Sequence, residues 1–287
     1  MLLPQVAYAR PETLEEAVSL LAASDNARIL AGGQTLVNVM KLRFAAPEVV
    51  VDLAAVPGLD RIDVRPDGSV EIGAMTTYDA LERDERLAEV RPIVGRVAST
   101  IADQQVRNRG TIGGNLCSND PTNHLPPLAV ALGASMTIVG PDGERVVGAG
   151  EFFEGVYLTA VGSGEVLTTV TLPPPAPDEG CGFASMTVGK EGTGIVNVAV
   201  SLRCNGTIES PRIAIGCVAG VPVRASAMES ALAGSAPTEA SVRLAAQGLG
   251  DTLDPPSDVH ASADYRRHLA EVIAVRAVLA AIEEAVR

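Results

Sequence analysis

Two glycine-rich stretches hold the residues best suited to chemistry in this chain. The first reads Leu30-Ala31-Gly32-Gly33-Gln34-Thr35-Leu36 and the second Arg109-Gly110-Thr111-Ile112-Gly113-Gly114-Asn115. Glycine lets a backbone approach an anion with no Cβ in the way, and loop N–H groups can then donate to phosphate oxygens. Thr111 and Asn115 add side chains able to donate to phosphate or ribose. Neither stretch fits the G-x-G-x-x-G fingerprint or the P-loop, which argues against a Rossmann or ATP-hydrolysing site. Alone, a Gly-Gly after a strand is a plain structural turn more often than a ligand site, and a single TIGGN also reads as a tight turn. Two together, on separate units, are suited to clamping a pyrophosphate between domains.

Other chemistry has little material. The four cysteines, at 117, 181, 204 and 217, form no C-x-x-C pair, and the three histidines stand at 124, 260 and 268. Zinc and iron–sulfur sites need clustered ligands, so the cysteines read as small buried hydrophobes. The net charge of −13 repels nucleic acid and acidic membranes. The absence of Trp argues further against a base-stacking surface. No apolar run reaches the roughly 18 to 20 residues of a membrane span. Pro4 and Arg10 interrupt any secretory signal, so a cytoplasmic protein is expected.

The elements that must position the two loops divide into three units over 287 residues, at 1–56, 57–176 and 177–287. In the first, Thr13 and Glu16 have capping-box spacing, followed by Leu14, Ala17, Val18 and Leu21 on one helical face. A strand at 28–31, the Gly32-Gly33 turn, a short helix with Leu36, Val39 and Met40 inward, and a strand at 49–53 make a βαβ pattern, hence a parallel pair. The second unit, read as α/β, has a Pro66-Asp67-Gly68 turn, helical patterns over 77–100, a hairpin turn at 141–144 and a strand at 166–172. The proline-rich run at 173–177 cannot continue a central strand and marks a boundary. The third unit has three strand-like runs, 181–188, 195–203 and 208–219, the last two joined by the hairpin signal Asn205-Gly206. Helical patterns follow at 224–233, 237–248 and 262–286, the last with Leu269, Val272, Ile273, Leu279 and Ile282 on an apolar side read as a bundle core.

Here the loops and their flanks resemble a known family. AGGQTL at 31–36 and TIGGNLCSNDP at 111–121 are similar to the FAD-binding medium subunits of the molybdenum hydroxylases, which include aerobic carbon monoxide dehydrogenase and the xanthine dehydrogenases. The likeness extends to YARP at 8–11, VDL at 51–53, EIGAMTTY at 71–78, IAD at 101–103 and GEVLTTVTLP at 164–173. It implies an α+β fold: two subdomains forming an FAD-binding fold of the vanillyl-alcohol oxidase type, then a three-stranded antiparallel sheet with a helical bundle. It implies non-covalent FAD on this chain. It also implies partners: a small subunit with two 2Fe–2S clusters and a large subunit with molybdenum–molybdopterin, in a dimer of heterotrimers.

Carried over residue by residue, the resemblance places the pyrophosphate on Ala31, Gly32, Gly33, Gln34 and Thr35, bordered by Leu30 and Leu36, and on Thr111, Ile112, Gly113, Gly114 and Asn115. Ile101 matches a position against the flavin ring, Cys117 and Ser118 match positions lining the FAD, and Leu167 matches a contact at one end of it; core packing is the alternative for Ile101 and Leu167. His124 stands where relatives often carry an acidic residue beside the ribose or adenine; capping the following helix is its alternative. Of a basic cluster common near 185, only Lys190 remains, and an aromatic position near the flavin of some carbon monoxide dehydrogenases is Ile195 here. The run CSNDPTNH also departs from the carbon monoxide dehydrogenase pattern, which leaves the substrate open. The implied function is electron relay, from partner clusters through FAD to an external acceptor, with no catalytic acid, base or nucleophile on this chain. The competing readings are a self-contained flavin oxidase of the same fold and a scaffold that has lost its flavin.

Overall fold

The computed structural model describes residues 3–189 and 192–287. The chain opens with β1 (Ala7–Ala9), α1 (Leu14–Ala22), β2 (Ala27–Leu30), α2 (Leu36–Lys41) and β3 (Val49–Asp52). The central β3 pairs in parallel with β1 on one side and β2 on the other. The expected βαβ unit is therefore present, with β1 as a further strand. Thr13 caps α1 by accepting from the Glu16 N–H at 3.2 Å. The Glu16 carboxylate accepts from the Glu12 N–H at 3.0 Å instead of reaching Thr13, so the box closes one residue early. Ala17, Val18 and Leu21 of α1 are buried with Val51 and Leu53, and on α2 only Met40 is fully buried.

The next stretch runs β4 (Ile62–Val64), β5 (Val70–Gly73), α3 (Tyr78–Arg83), α4 (Glu85–Val90), α5 (Pro92–Ser99), α6 (Gln104–Arg107), α7 (Ile112–Ser118) and α8 (Leu125–Leu132). It ends with β6 (Ser135–Gly140), β7 (Gly143–Gly148), α9 (Ala149–Phe152), β8 (Phe153–Gly155), β9 (Leu158–Thr159) and β10 (Val166–Leu172). The five-stranded sheet has the order β4-β5-β10-β6-β7, and every pairing is antiparallel. The α/β reading of this unit is corrected accordingly. The turns at 65–69 and 141–142 are too short for a crossover and can only join antiparallel neighbours.

The last stretch holds β11 (Glu179–Thr187), β12 (Gly194–Asn205), β13 (Thr207–Gly216), β14 (Val223–Arg224), α10 (Ser226–Leu232), α11 (Glu239–Ala246) and α12 (Ala263–Ala285). Its sheet has four antiparallel strands, not three. The missed strand, β14, is two residues long and pairs Val223 with Ile215 and Arg224 with Ala214, too short to show a period of two. The buried face of α12 is built largely from Ala270, Ala274, Ala277, Val278 and Ala281, while Val272 and Leu279 are only half-buried. Small side chains let the helix approach β11. A Cβ on Gly180 or Gly182 would come within 2.0 Å of Ala281 O or 1.9 Å of Ala277 O.

A buried ion pair holds this last stretch to the one before it. Arg91, 3% exposed, donates to Glu179 Oε1 at 3.0 Å and to Pro173 O at 2.6 Å. The Arg91 guanidinium and the Ser201 hydroxyl, which donates at 2.7 Å, hold the Glu179 carboxyl below its ordinary range against the opposing effect of burial. Among the described residues, no helix is long and apolar enough to cross a membrane.

Candidate functional site

The fold brings the two glycine stretches into contact. The first follows β2 and leads into α2; the second follows α6 and leads into α7. Gly32 lies flat against the start of the second loop, where a Cβ would sit 2.0 Å from Arg109 O and 2.9 Å from Gly110 Cα. A Cβ on Gly114 would lie 3.6 Å from Ala31 Cβ. The second loop is in turn pressed onto the segment after β5. A Cβ on Gly110 would meet the Tyr78 ring at 2.4 Å, and one on Gly113 would meet Ala74 O at 2.6 Å. At Gly32, Gly110 and Gly113 glycine is required by the close approach of other atoms.

Where the backbone donors go separates the two loops. In the second, Ile112 N donates to Thr76 O at 3.0 Å and Gly113 N to Ala74 O at 2.8 Å. Gly114 N donates to Thr111 Oγ1 at 3.1 Å, and Asn115 N to Thr111 O at 3.0 Å. Those four donors are spent inside the protein, so the expectation that the glycines of both loops expose N–H groups holds for only one. In the first, the N–H groups of Gly32, Gly33, Gln34 and Thr35 donate no hydrogen bond among the described residues. The loop is fixed by its acceptors: Gly33 O takes the Val37 N–H at 3.3 Å and Gln34 O the Asn38 amide at 2.7 Å. Gly33 turns the chain with φ +75°, a left-handed conformation glycine adopts without strain.

Asn115 is buried and its amide faces the Tyr78 hydroxyl at 3.0 Å. The other polar atom of that amide has no partner among the described residues. With the nitrogen toward Tyr78, the atom left over is the acceptor Oδ1, so Asn115 presents an acceptor in place of the expected donor. Burial pushes the Tyr78 hydroxyl up to about 12, and it stays neutral. Ser118 Oγ donates to Asn115 O at 3.0 Å. Cys117 is half-buried, and burial pushes its thiol up to about 12, so no reactive thiolate is present. Among the described residues, no three His, Cys, Asp or Glu side chains are grouped to hold a metal ion.

The remaining expected site residues lie as follows. His124 occupies the cap position of α8 but makes no capping bond, so the capping alternative is corrected. It is 7% exposed, its Nδ1 lies 3.1 Å from Thr100 Oγ1, and its ring centroid lies 5.3 Å from that of Phe183. Thr100 gives its hydroxyl proton to Val97 O at 2.7 Å, so it accepts from a protonated Nδ1, and Nε2 is left as the acceptor. Burial lowers the imidazole to about 4. Ile101 is half-buried against the core, and its carbonyl accepts from Arg107 at 3.2 Å. Leu167 is buried in β10 opposite Ile138, beside a bulge at the buried Thr168. Ile195 is buried in the core of the C-terminal sheet. Lys190 lies outside the described residues. Sequence reasoning gave no role to Tyr78, although it stands in the quoted segment EIGAMTTY, and none to Asn123, whose amide donates to Asn115 O and Ser118 Oγ, both at 3.0 Å.

Comparison with known proteins decides the family. Residues 4–175 match the model for the FAD binding domain in molybdopterin dehydrogenase, and residues 184–281 that for the CO dehydrogenase flavoprotein C-terminal domain. The chain belongs to the FAD-binding medium subunits of the molybdenum hydroxylases. It is 36% identical to the carbon monoxide dehydrogenase medium chain of Afipia carboxidovorans, covering 94% of each chain. It is 33% identical to the nicotine 6-hydroxylase medium subunit of Paenarthrobacter nicotinovorans, covering 98% of this chain and 99% of that one. It superposes with a TM-score of 0.95, at 36% identity and 99% coverage of both chains, on a solved carbon monoxide dehydrogenase from Hydrogenophaga pseudoflava that lacks the Mo-pyranopterin moiety. As a medium subunit of this family it is an oxidoreductase component that binds FAD. Its own residues fit that cofactor: four open N–H groups suit an anionic pyrophosphate, and the unpaired Asn115 amide atom and the Thr111 hydroxyl proton suit the hydroxyl-rich remainder.

Proposed function

We propose that this chain holds FAD non-covalently between the two glycine loops and serves as the exit point for electrons that partner subunits deliver. The observation that carries this reading is the row of unpaired N–H groups on Gly32, Gly33, Gln34 and Thr35, set against the second loop by Gly32. When bound, FAD supplies two-electron acceptance and stepwise release, which couples single-electron carriers to two-electron acceptors. The first loop binds the pyrophosphate oxygens through its backbone donors. Thr111 and Asn115 orient the cofactor, and Leu30, Leu36, Ala31, Ile112, Cys117, Ser118 and Leu167 complete its surroundings. Ile101 packs by the ring. His124, uncharged at neutral pH, offers Nε2 as an acceptor.

In this reading residues 1–56 and 57–176 form a flavin fold of the vanillyl-alcohol oxidase type, and residues 177–287 form the C-terminal sheet and bundle. The partners are a small subunit with two 2Fe–2S clusters and a large molybdenum–molybdopterin subunit, in a dimer of heterotrimers. Support comes from the relatives, which are medium chains of such dehydrogenases, at similar identities for carbon monoxide and nicotine. The test is purification from the native host. Two further polypeptides carrying molybdenum and iron are expected, and acid should release free FAD. The isolated chain should accept electrons from an artificial donor and oxidise no hydroxylase substrate. Turnover of a substrate by the isolated chain would replace this reading with a self-contained oxidase.

A further inference from the structure

The loop that follows α7, residues 119–123, rests on the C-terminal sheet at three successive residues. Cys217 N donates to Pro121 O at 3.0 Å. A Cβ on Gly194 would come within 3.0 Å of Thr122 O. Asn197, 0% exposed on β12, donates its amide to Asn123 O at 3.2 Å. Only the nitrogen of that amide can serve a carbonyl, which fixes its orientation. Its Oδ1 then has no partner and lies over Gly216, where a Cβ would be 2.2 Å away. Such a buried half-satisfied amide is costly in itself, so its presence calls for an account.

Asn123 carries the contact on toward the glycine loops. Its own amide donates to Asn115 O and Ser118 Oγ, both at 3.0 Å, and Asn115 carries the unpaired side-chain atom at the glycine loops. The C-terminal end of the tie is rigidly held. Arg266, 2% exposed on α12, donates to Ile195 O at 2.5 Å and Cys217 O at 3.2 Å. It thereby ties β12, two residues before Asn197, to the residue that follows β13.

We propose that Asn197 is a positioning residue for the flavin site: through Asn123 it sets the placement of Asn115, so that a residue of the C-terminal sheet tunes FAD binding through a chain of hydrogen bonds. This rests on the reading that FAD lies at the glycine loops. The step is a hydrogen-bonded chain across the boundary between units, and it predicts that FAD affinity responds to a residue outside the matched FAD-binding domain.

The test uses the full-length chain. Asn197→Asp sets an acceptor against Asn123 O, and Asn197→Ser removes the bond without burying a charge. Each should raise the FAD dissociation constant about two- to twelvefold, the size of one hydrogen bond, and change the visible circular dichroism of the bound flavin. Combined with Asn123→Ala, neither should weaken FAD further, because both act on one chain of bonds. Ser201→Ala, on the same strand but directed at Glu179, should lower Tm and leave FAD affinity unchanged. A Tm loss at Asn197 with unaltered affinity, or full additivity with Asn123→Ala, would overturn the tie. If Gly33→Val and Asn123→Ala both leave affinity unchanged, the loop site is wrong and the tie falls with it. If Gly33→Val weakens FAD and the Asn197 variants do not, the tie alone is overturned.

Discussion

The two glycine loops look alike in sequence and differ in what they have left to give. The first keeps the backbone donors of residues 32–35 unpaired among the described residues. The second spends those of residues 112–115 on Thr76, Ala74 and Thr111. Gly33 is needed for a turn with φ +75°, whereas Gly110 and Gly113 are needed because Tyr78 and Ala74 stand where a Cβ would be. One loop is built to bind and the other to be held still. A glycine pair in a sequence therefore does not say which of the two jobs it does; the destination of each N–H does.

The largest effect should come from Gly32→Val, which attacks the contact between the loops. A Cβ 2.0 Å from Arg109 O meets backbone, which cannot swing away. We expect loss of nearly all bound FAD and destabilisation of about 1 to 3 kcal/mol, read as flavin-to-protein ratio and Tm. Full flavin content with an unchanged Tm would mean that the loops do not depend on each other.

A matched pair sharpens the contrast. Gly33→Val meets only side-chain tips that can yield by a few tenths of an ångström, Val37 at 3.3 Å and Leu30 at 3.4 Å, but strains a left-handed backbone in the binding loop. It should weaken FAD by about tenfold, since 1 to 2 kcal/mol of strain lies where the donors are. Thr111→Val removes the cap of α7 and should cost about 1 kcal/mol of stability, with a smaller loss of FAD. Titrating both variants with FAD by fluorescence checks the order; equal or reversed losses would erase the distinction between the loops.

His124 offers the smallest effect. Its imidazole is lowered from 6.5 to about 4 by burial, so the unfolded chain takes up the proton first as pH falls. Its contribution is fully present above pH 6.5 and is lost as pH drops from about 6.5 through about 4. His124→Gln should flatten that part of the Tm-against-pH curve. FAD affinity should be constant across pH 5.5 to 8 in the unmodified chain, since the imidazole stays neutral throughout. A titration of affinity near pH 6.5 would show a histidine exposed to solvent and charge.

The glycines made both loops legible in sequence, and the turn at 66–68 and the Asn205-Gly206 hairpin were legible for the same reason: each needs a residue type that few other positions favour. The contact between the loops was not, because nothing at Gly32 announces Arg109. Nor was the open or closed state of each loop, which is decided by carbonyls of Ala74 and Thr76 that any side chain could accompany. Asn197 left no sequence signal, since the carbonyl it serves lies far along the chain, and Asn123 left none, since its bonds to Asn115 O and Ser118 Oγ depend on how the chain turns after α7. His124 was visible as a departure from the family, but its bond to Thr100 depends on packing between α5 and α8. The fourth C-terminal strand was too short for periodicity.

Residue-resolved amide exchange on the flavin-free chain, before and after adding FAD, tests the division between the loops most directly. Gly32, Gly33, Gln34 and Thr35 should exchange rapidly alone and become protected with FAD, while Ile112, Gly113, Gly114 and Asn115 should be protected in both states. Protection of residues 32–35 without FAD, or an FAD response confined to residues 112–115, would contradict the account.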